Sequence, residues 1–338
     1  MDCGGDRPRR GEGGAGVRGI KIASAAAVAA AVLVSQTARA QATGCPSPSL
    51  DGGGCQATAQ ALESAVPQVG IAMAGGNPLP GTASVAGVRL GLLPRVTAGL
   101  RVGAARMTLP DLRTSSGDFA ARERSELVPT VNVDAAVSLT QGLAGGVAGL
   151  GSLDLLLSAG VRPATGGFDR ASLGYGAGVR LGLLRETFGT PAVNVSAMYR
   201  RVGEARYGTP CTSEPCSPLA TVGEAEFGVR DVSGRVTVGK RVARVGLVAG
   251  AGYDRFTSTG GRFTFTDPAS STTQERRVSD GRWSLFGNLS LPLMVGAVTL
   301  EGGWMSGGGD PVPGYPADAA YDPGTGTLFG SLALRLSL

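Results

Sequence analysis

At 338 residues the chain is long enough for one large domain or two ordinary ones, and 56 glycines with only 5% aromatics suit turns and strands better than a helical bundle. The excess of 31 basic over 26 acidic residues is concentrated in the first forty positions, beyond which 25 basic face 23 acidic groups. That near-neutral balance argues against nucleic acid as a partner.

The N-terminus reads as a leader. A basic stretch (Arg7, Arg9, Arg10, Arg18, Lys21) precedes the apolar run "IASAAAVAAAVLV" (Ile22–Val34) and the small-residue pattern Ala38-x-Ala40 or Ala40-x-Ala42. This is the layout of a secretory signal peptide over residues 1–42, exported by the general secretory route. Thirteen apolar residues are too few for a membrane anchor, which needs roughly 20. Residues 43–66 then read as a short N-terminal periplasmic segment closed by a Cys45–Cys55 loop, "CPSPSLDGGGC". A second local pair, Cys211–Cys216 in "CTSEPC", sits in similar Pro/Ser-rich surroundings. With no histidine in the chain and no C-x-x-C spacing, both pairs point to disulfides in an oxidising compartment rather than to zinc.

From residue 67 onward, segment after segment alternates with period two. "SVAGVRLGLL" sets Val88, Leu90 and Leu92 against Gly87, Arg89 and Gly91, and "TVNVDAAVSL" sets Val131, Val133 and Val137 against Asn132, Asp134 and Ser138. "ASLGYGAGVRLGLL", "RWSLFGNLSLPL" and the C-terminal "LFGSLALRLSL" do the same. Such alternation predicts strands with one apolar face and one small or charged face. Twelve are expected, near 67–76, 82–93, 95–108, 128–140, 151–163, 171–184, 191–206, 221–240, 243–258, 275–292, 294–308 and 325–338. Short connections ("KRVA", "LPLMV") alternate with long polar ones rich in Gly, Pro and Ser. "AGVRLGLL" occurs twice, at 86–93 and 177–184. In the span 221–240 the charged residues change parity, and "DVSG" (Asp231–Gly234) reads as the bulge responsible.

A soluble sandwich would bury bulky residues between its faces. Here the apolar face is Ala, Val and Leu, and the opposite face carries Gly, Ser, Arg and Asp, the inversion that lipid demands of a closed barrel. Tyr175, Tyr199, Tyr253, Trp283 and Trp304 share parity with the apolar face and fall near the long-loop end, as an aromatic girdle would. In leader, alternation, loop asymmetry and Leu-rich last strand, residues 67–338 resemble the bacterial outer-membrane β-barrel proteins, the porin-like superfamily. The resemblance implies an all-β transmembrane antiparallel up-and-down barrel in the outer membrane of a Gram-negative bacterium. It also implies outer-membrane lipid and the outer-membrane assembly machinery as partners. In that superfamily the last strand usually closes on an aromatic residue, where this chain has Leu338.

Chemistry is sparse. Most barrel enzymes use histidine as a base, and this chain has none, so no catalytic residue, cofactor or metal is assigned. Glu224 and Glu226, two apart on one strand, read better as lumen residues paired with arginine than as a catalytic pair. Asp310, Asp318 and Asp322 read as a solvated acidic loop before a calcium site. The expected inward face carries Arg89, Arg101, Arg180, Arg200, Arg230, Arg235, Arg282 and Arg335 against Asp134, Asp154, Glu204, Glu224, Glu226, Asp254, Asp280 and Glu301. Such a set either lines water or forms a salt-bridged plug. The expected function is therefore non-enzymatic: a narrow pore or passive transporter for small polar solutes. The alternative is a structural or surface-interaction barrel with a closed lumen, acting through its long loops.

Overall fold

A computed structural model describes residues 45, 53–81, 83, 95–112, 122–141, 151–208, 222–266, 270–294, 296–308, 310–315 and 319–337. The leader, Arg89, the first "AGVRLGLL" copy, the expected strand at 82–93 (save Ala83) and the Cys211–Cys216 pair lie outside them. The elements in chain order are helix α1 (Gly54–Ala74) and strands β1 (Val96–Pro110), β2 (Glu123–Gln141), β3 (Ser152–Arg162), β4 (Ser172–Leu184), β5 (Ala192–Gly208), β6 (Val222–Val242), β7 (Val245–Thr266), β8 (Ser271–Glu275), β9 (Ser279–Pro292), β10 (Gly296–Met305) and β11 (Thr327–Ser337).

Ten strands close an antiparallel ring in the order β6-β5-β4-β3-β2-β1-β11-β10-β9-β7, completed by β6–β7. β8 stands outside it, paired only with the end of β7 from Arg262 to Thr266. The seam between first and last strands runs from Thr97↔Ser337 to Ala105↔Phe329. The barrel thus has ten strands and not twelve. The span 67–76, expected as a strand, is the C-terminal part of α1. Residues 54–66, expected in a periplasmic segment, are the rest of that helix and lie inside the ring.

Alternation along each strand sets the wall. β5 buries Asn194, Ser196, Met198 and Arg200 and turns Val195, Ala197, Tyr199 and Arg201 outward. Around the ring the outward set is Leu, Val and aromatic, including Leu100, Val133, Val179, Val236, Leu289, Leu300 and Leu334, all exposed. The connections β6–β7 and β9–β10 span only residues 243–244 and 293–295, whereas β1–β2, β5–β6 and β10–β11 span 111–122, 209–221 and 306–326. The ring therefore has a turn end and a loop end.

α1 forms because Ala, Gln, Leu and Glu dominate "GCQATAQALESAVPQVGIAMA", despite Pro67. It ends at Gly75, whose φ of 63° suits glycine and whose N–H donates to the Ile71 carbonyl at 2.9 Å.

Candidate functional site

The interior has two storeys. At the loop end, Met107, Leu109, Tyr207, Phe227, Phe256, Phe263 and Phe329 pack around Cys55, Leu62, Val66 and Val69 of α1 as one apolar core. Toward the turn end the wall turns polar, and the Gly75–Gly81 segment that follows the helix runs down among charged side chains. Every helix residue except Glu63 is buried, so α1 occupies the bore rather than lying across its mouth.

The helix is fastened along its length. A disulfide ties Cys55, in its first turn, to Cys45. The Gln60 side-chain oxygen accepts the Val312 N–H at 2.8 Å, joining α1 to the β10–β11 loop. Glu63 accepts from Arg276 Nε at 2.8 Å. The Gln68 amide exchanges two hydrogen bonds with the Thr108 backbone, both 2.8 Å, as a further strand would. Below the helix, Glu301 receives the N–H groups of Gly76 (3.0 Å) and Asn77 (2.9 Å) and the Asn288 amide (2.8 Å). Arg235 donates to the Gly76 carbonyl at 2.9 Å, and Asn77 Nδ2 donates to Asn288 Oδ1 at 3.0 Å.

Around this segment runs a belt of buried ion pairs between neighbouring strands. Arg101 Nε meets Asp134 Oδ2 at 3.0 Å, Arg180 Nη2 meets Asp154 at 2.6 Å, Arg200 Nη1 meets Asp231 at 3.1 Å, and Arg235 Nη2 meets Asp254 at 2.7 Å. Asp154–Arg180 and Arg200–Asp231 are directly opposite in register; Arg101–Asp134 and Arg235–Asp254 are diagonal. Desolvating such charges costs several kcal/mol per ion, roughly recovered when each fork finds a carboxylate.

Among the expected lumen residues, Arg101, Asp134, Asp154, Arg180, Arg200, Arg235, Asp254, Arg282 and Glu301 are buried inside. Asp280 is half-buried and pairs with Arg282 at 2.7 Å, and half-buried Arg335 donates to the Pro80 carbonyl at 3.3 Å near the turn-end mouth. Glu224 pairs with Arg206 at 2.8 Å, while buried Glu226 accepts from Arg262 Nε at 2.7 Å at the loop end. Two placements are corrected. Arg230 is exposed on the outer wall, because the bulge in β6 falls between Glu226 and Gly228, not at "DVSG", and so the parity shift precedes it. Glu204 is exposed within the β5 irregularity between Val202 and Ala205 and faces Arg170 at 3.6 Å. The same shift turns Asp231 inward, a residue read only as the start of the bulge. Gln68, Asn77 and Asn288 were also missed; they carry no charge pattern, and their importance follows only from the helix they hold.

On the outer wall, Tyr175, Tyr199, Trp283 and Trp304 are exposed and Tyr253 is half-exposed. Tyr253 and Trp283 meet in a tilted contact, with ring centroids 5.0 Å apart and planes at 59°. Below this row the wall is Leu, Val and Ala; above it β6 and β7 continue around the apolar loop-end core. An apolar exterior around a charged interior, with every ladder closed, is the arrangement of a membrane-spanning β-barrel.

No protein-family model matches the chain, and no curated protein matches it. Its fold is similar to several solved barrels at low identity. They include the outer-membrane protease OmpT of Escherichia coli (10% identity, 76% of this chain and 100% of that one, TM-score 0.44). The translocator domain of the autotransporter NalP of Neisseria meningitidis also matches (9% identity, 72% and 88%, TM-score 0.39). So does Ail, the attachment invasion locus protein of Yersinia pestis (9% identity, 73% and 98%, TM-score 0.27).

Proposed function

We propose that the protein is a bacterial outer-membrane barrel that is closed in its resting state and acts through the surface built at its loop end. In this reading residues 1–42 are removed on export through the general secretory route, the turn end faces the periplasm, and the long loops face outward. The observation that carries it is α1 with its Gly75–Gly81 extension, buried in the bore and bonded to Thr108, Arg235, Asn288 and Glu301. An open passage for small polar solutes needs hydrated charges, whereas the lumen arginines here are spent on carboxylates and on the plug backbone. The reading is non-catalytic, in keeping with a sequence that contains no histidine to serve as a base. Planar-bilayer recording tests it. The full chain should insert without steady conductance, and a variant lacking residues 54–81 should conduct. A steady current from the full chain would restore the narrow-pore reading.

A further inference from the structure

Inside the barrel, Arg101, Arg180, Arg200, Arg235 and Arg282 each face a carboxylate. Three arginines on the outside differ. Arg201 on β5, Arg230 on β6 and Arg255 on β7 are all exposed, on three consecutive strands of the ring. Arg201 and Arg230 are directly opposite in the β5–β6 register. Arg255 is opposite Val232, the next outward residue along β6, which makes it the diagonal neighbour of Arg230. None of the three makes an ion pair or side-chain hydrogen bond among the described residues. Like charges directly opposite each other in a sheet destabilise it, so the wall concentrates positive charge where the pairing disfavours it.

Their height on the wall gives the reason. Tyr199 is the next outward residue below Arg201, Tyr253 the next below Arg255, and Tyr175 stands opposite Arg201 on β4. The three guanidinium groups therefore stand at the aromatic row, on the side away from the apolar band of Val195, Val236 and Leu247. Above them the irregularities of β5 and β6 open a surface recess of about 430 Å³ that includes Arg201, Gly203, Gly228 and Gly260. The recess also holds two carboxylates, but Glu204 faces Arg170 and Glu226 is taken by Arg262 and Arg206.

We propose that Arg201, Arg230 and Arg255 form a binding site for the phosphate-bearing headgroup of a membrane lipid in the leaflet at the loop end. A phosphate monoester carries close to two negative charges and three acceptor oxygens, and arginine forks match it better than any other side chain. One such group between the three arginines removes their repulsion. The apolar strip directly below supplies the surface for acyl chains, which a free phosphate ion would not use. The site is on the outer wall and is independent of whether the lumen conducts.

The test uses the purified full chain in zwitterionic detergent, titrated with dioleoyl phosphatidic acid and followed by native mass spectrometry. Dioleoylglycerol supplies the same chains without phosphate, and inorganic phosphate at matched ionic strength supplies the anion without chains. Saturable binding of phosphatidic acid but not of dioleoylglycerol is expected. Each of Arg201→Gln, Arg230→Gln and Arg255→Gln should weaken it about three- to ten-fold, and the triple variant by at least about thirty-fold, each single loss in the range for one ordinary hydrogen bond at a solvent-exposed site. A variant with Lys240, Arg241 and Arg244 at the turn end all changed to Gln removes the same charge and should bind as the native protein does. Heat-modifiable gel migration checks that each variant is a folded barrel, and the single variants carry the test if the triple does not fold. Equal binding by native and single-variant proteins, or equal loss in the turn-end control, overturns the site. Full displacement of the lipid by inorganic phosphate overturns its assignment to a lipid.

Discussion

Replacing Glu301 by alanine should loosen the plug without opening the wall. In the native protein this carboxylate has no exposed surface and accepts three hydrogen bonds, from Gly76 N (3.0 Å), Asn77 N (2.9 Å) and Asn288 Nδ2 (2.8 Å), with Arg101 Nη1 at 3.9 Å. Two of the donors belong to the segment below α1 and one to the wall. Removing the acceptor strands three buried N–H donors at about 1–3 kcal/mol each. Water entering the vacated space recovers part of that, leaving about 3–6 kcal/mol. The ladders β9–β10 and β10–β11 keep their registers, so the loss falls on the docked state of the plug. At 1.4 kcal/mol per factor of ten, the displaced fraction should rise by about 100- to 10,000-fold. Planar-bilayer recording should show intermittent openings absent from the native protein, and hydrogen exchange should quicken at Gly75–Gly81 but not in β9 or β10. Glu301→Gln, which retains one acceptor, should fall between the two. Native-like silence together with native-like exchange in Glu301→Ala would refute the claim that this carboxylate holds the plug.

Gly75→Ala should destabilise the protein by about 1–3 kcal/mol in chemical unfolding, because the position has φ 63° and a Cβ there would lie 2.2 Å from Arg101 Nη1. Gly234→Ala, whose Cβ would meet nothing within 4 Å on the outer face of β6, should be neutral by the same assay. Reducing the Cys45–Cys55 disulfide, which links residues ten apart, should free the start of α1 at a cost of about 2–3 kcal/mol. Hydrogen exchange should then quicken at Gly54–Ala61 and stay unchanged in the strands. Tyr321, in the β10–β11 loop, is buried, and that burial pushes its phenol from its ordinary value near 10 up to about 12, partly offset by a hydrogen bond with Ser64 of α1. Between those values the unfolded loop has released a proton that the docked loop retains, so docking should weaken as pH rises from about 10 to about 12. Tyrosinate absorbance of native protein and Tyr321→Phe isolates that group; a Tyr321 titration near 10 would place the loop away from the helix.

The wall was legible in the chain because its solvent imposes a rule at every second residue. The alternation of "ASLGYGAGVRLGLL" marks β4 to within a residue, that of "RWSLFGNLSLPL" marks the end of β9 but not its start, expected at 275 and found at Ser279, and the parity of Tyr199 or Trp283 already states which way each ring faces. The plug was not legible, and the reason is physical. A helix enclosed on all sides needs no polar face, so it has no 3.6-residue stripe, and Val69, Ile71 and Met73 mimic a strand when read alone. Arg230 was placed on the inner face because one bulge moves every later residue to the other face, and parity shows that a shift occurs but not where. The charged set of the interior was largely readable; its pairing was not. Asp154 meets Arg180 through a register between neighbouring strands that composition does not record.

The way α1 is attached decides what its release would look like. Residues 75–95 join the helix to β1 at the turn end, and 21 residues of chain can reach at most about 70 Å, more than twice the ~31 Å length of α1 itself. A helix drawn out through the turn end takes its leash with it and leaves the bore vacant. One drawn out through the loop end trails the leash back through the bore, which stays threaded by an extended strand of polypeptide. Departure in one direction therefore unblocks the channel, and departure in the other exchanges a thick obstruction for a thin one, so conductance should come in two sizes that report the direction of travel.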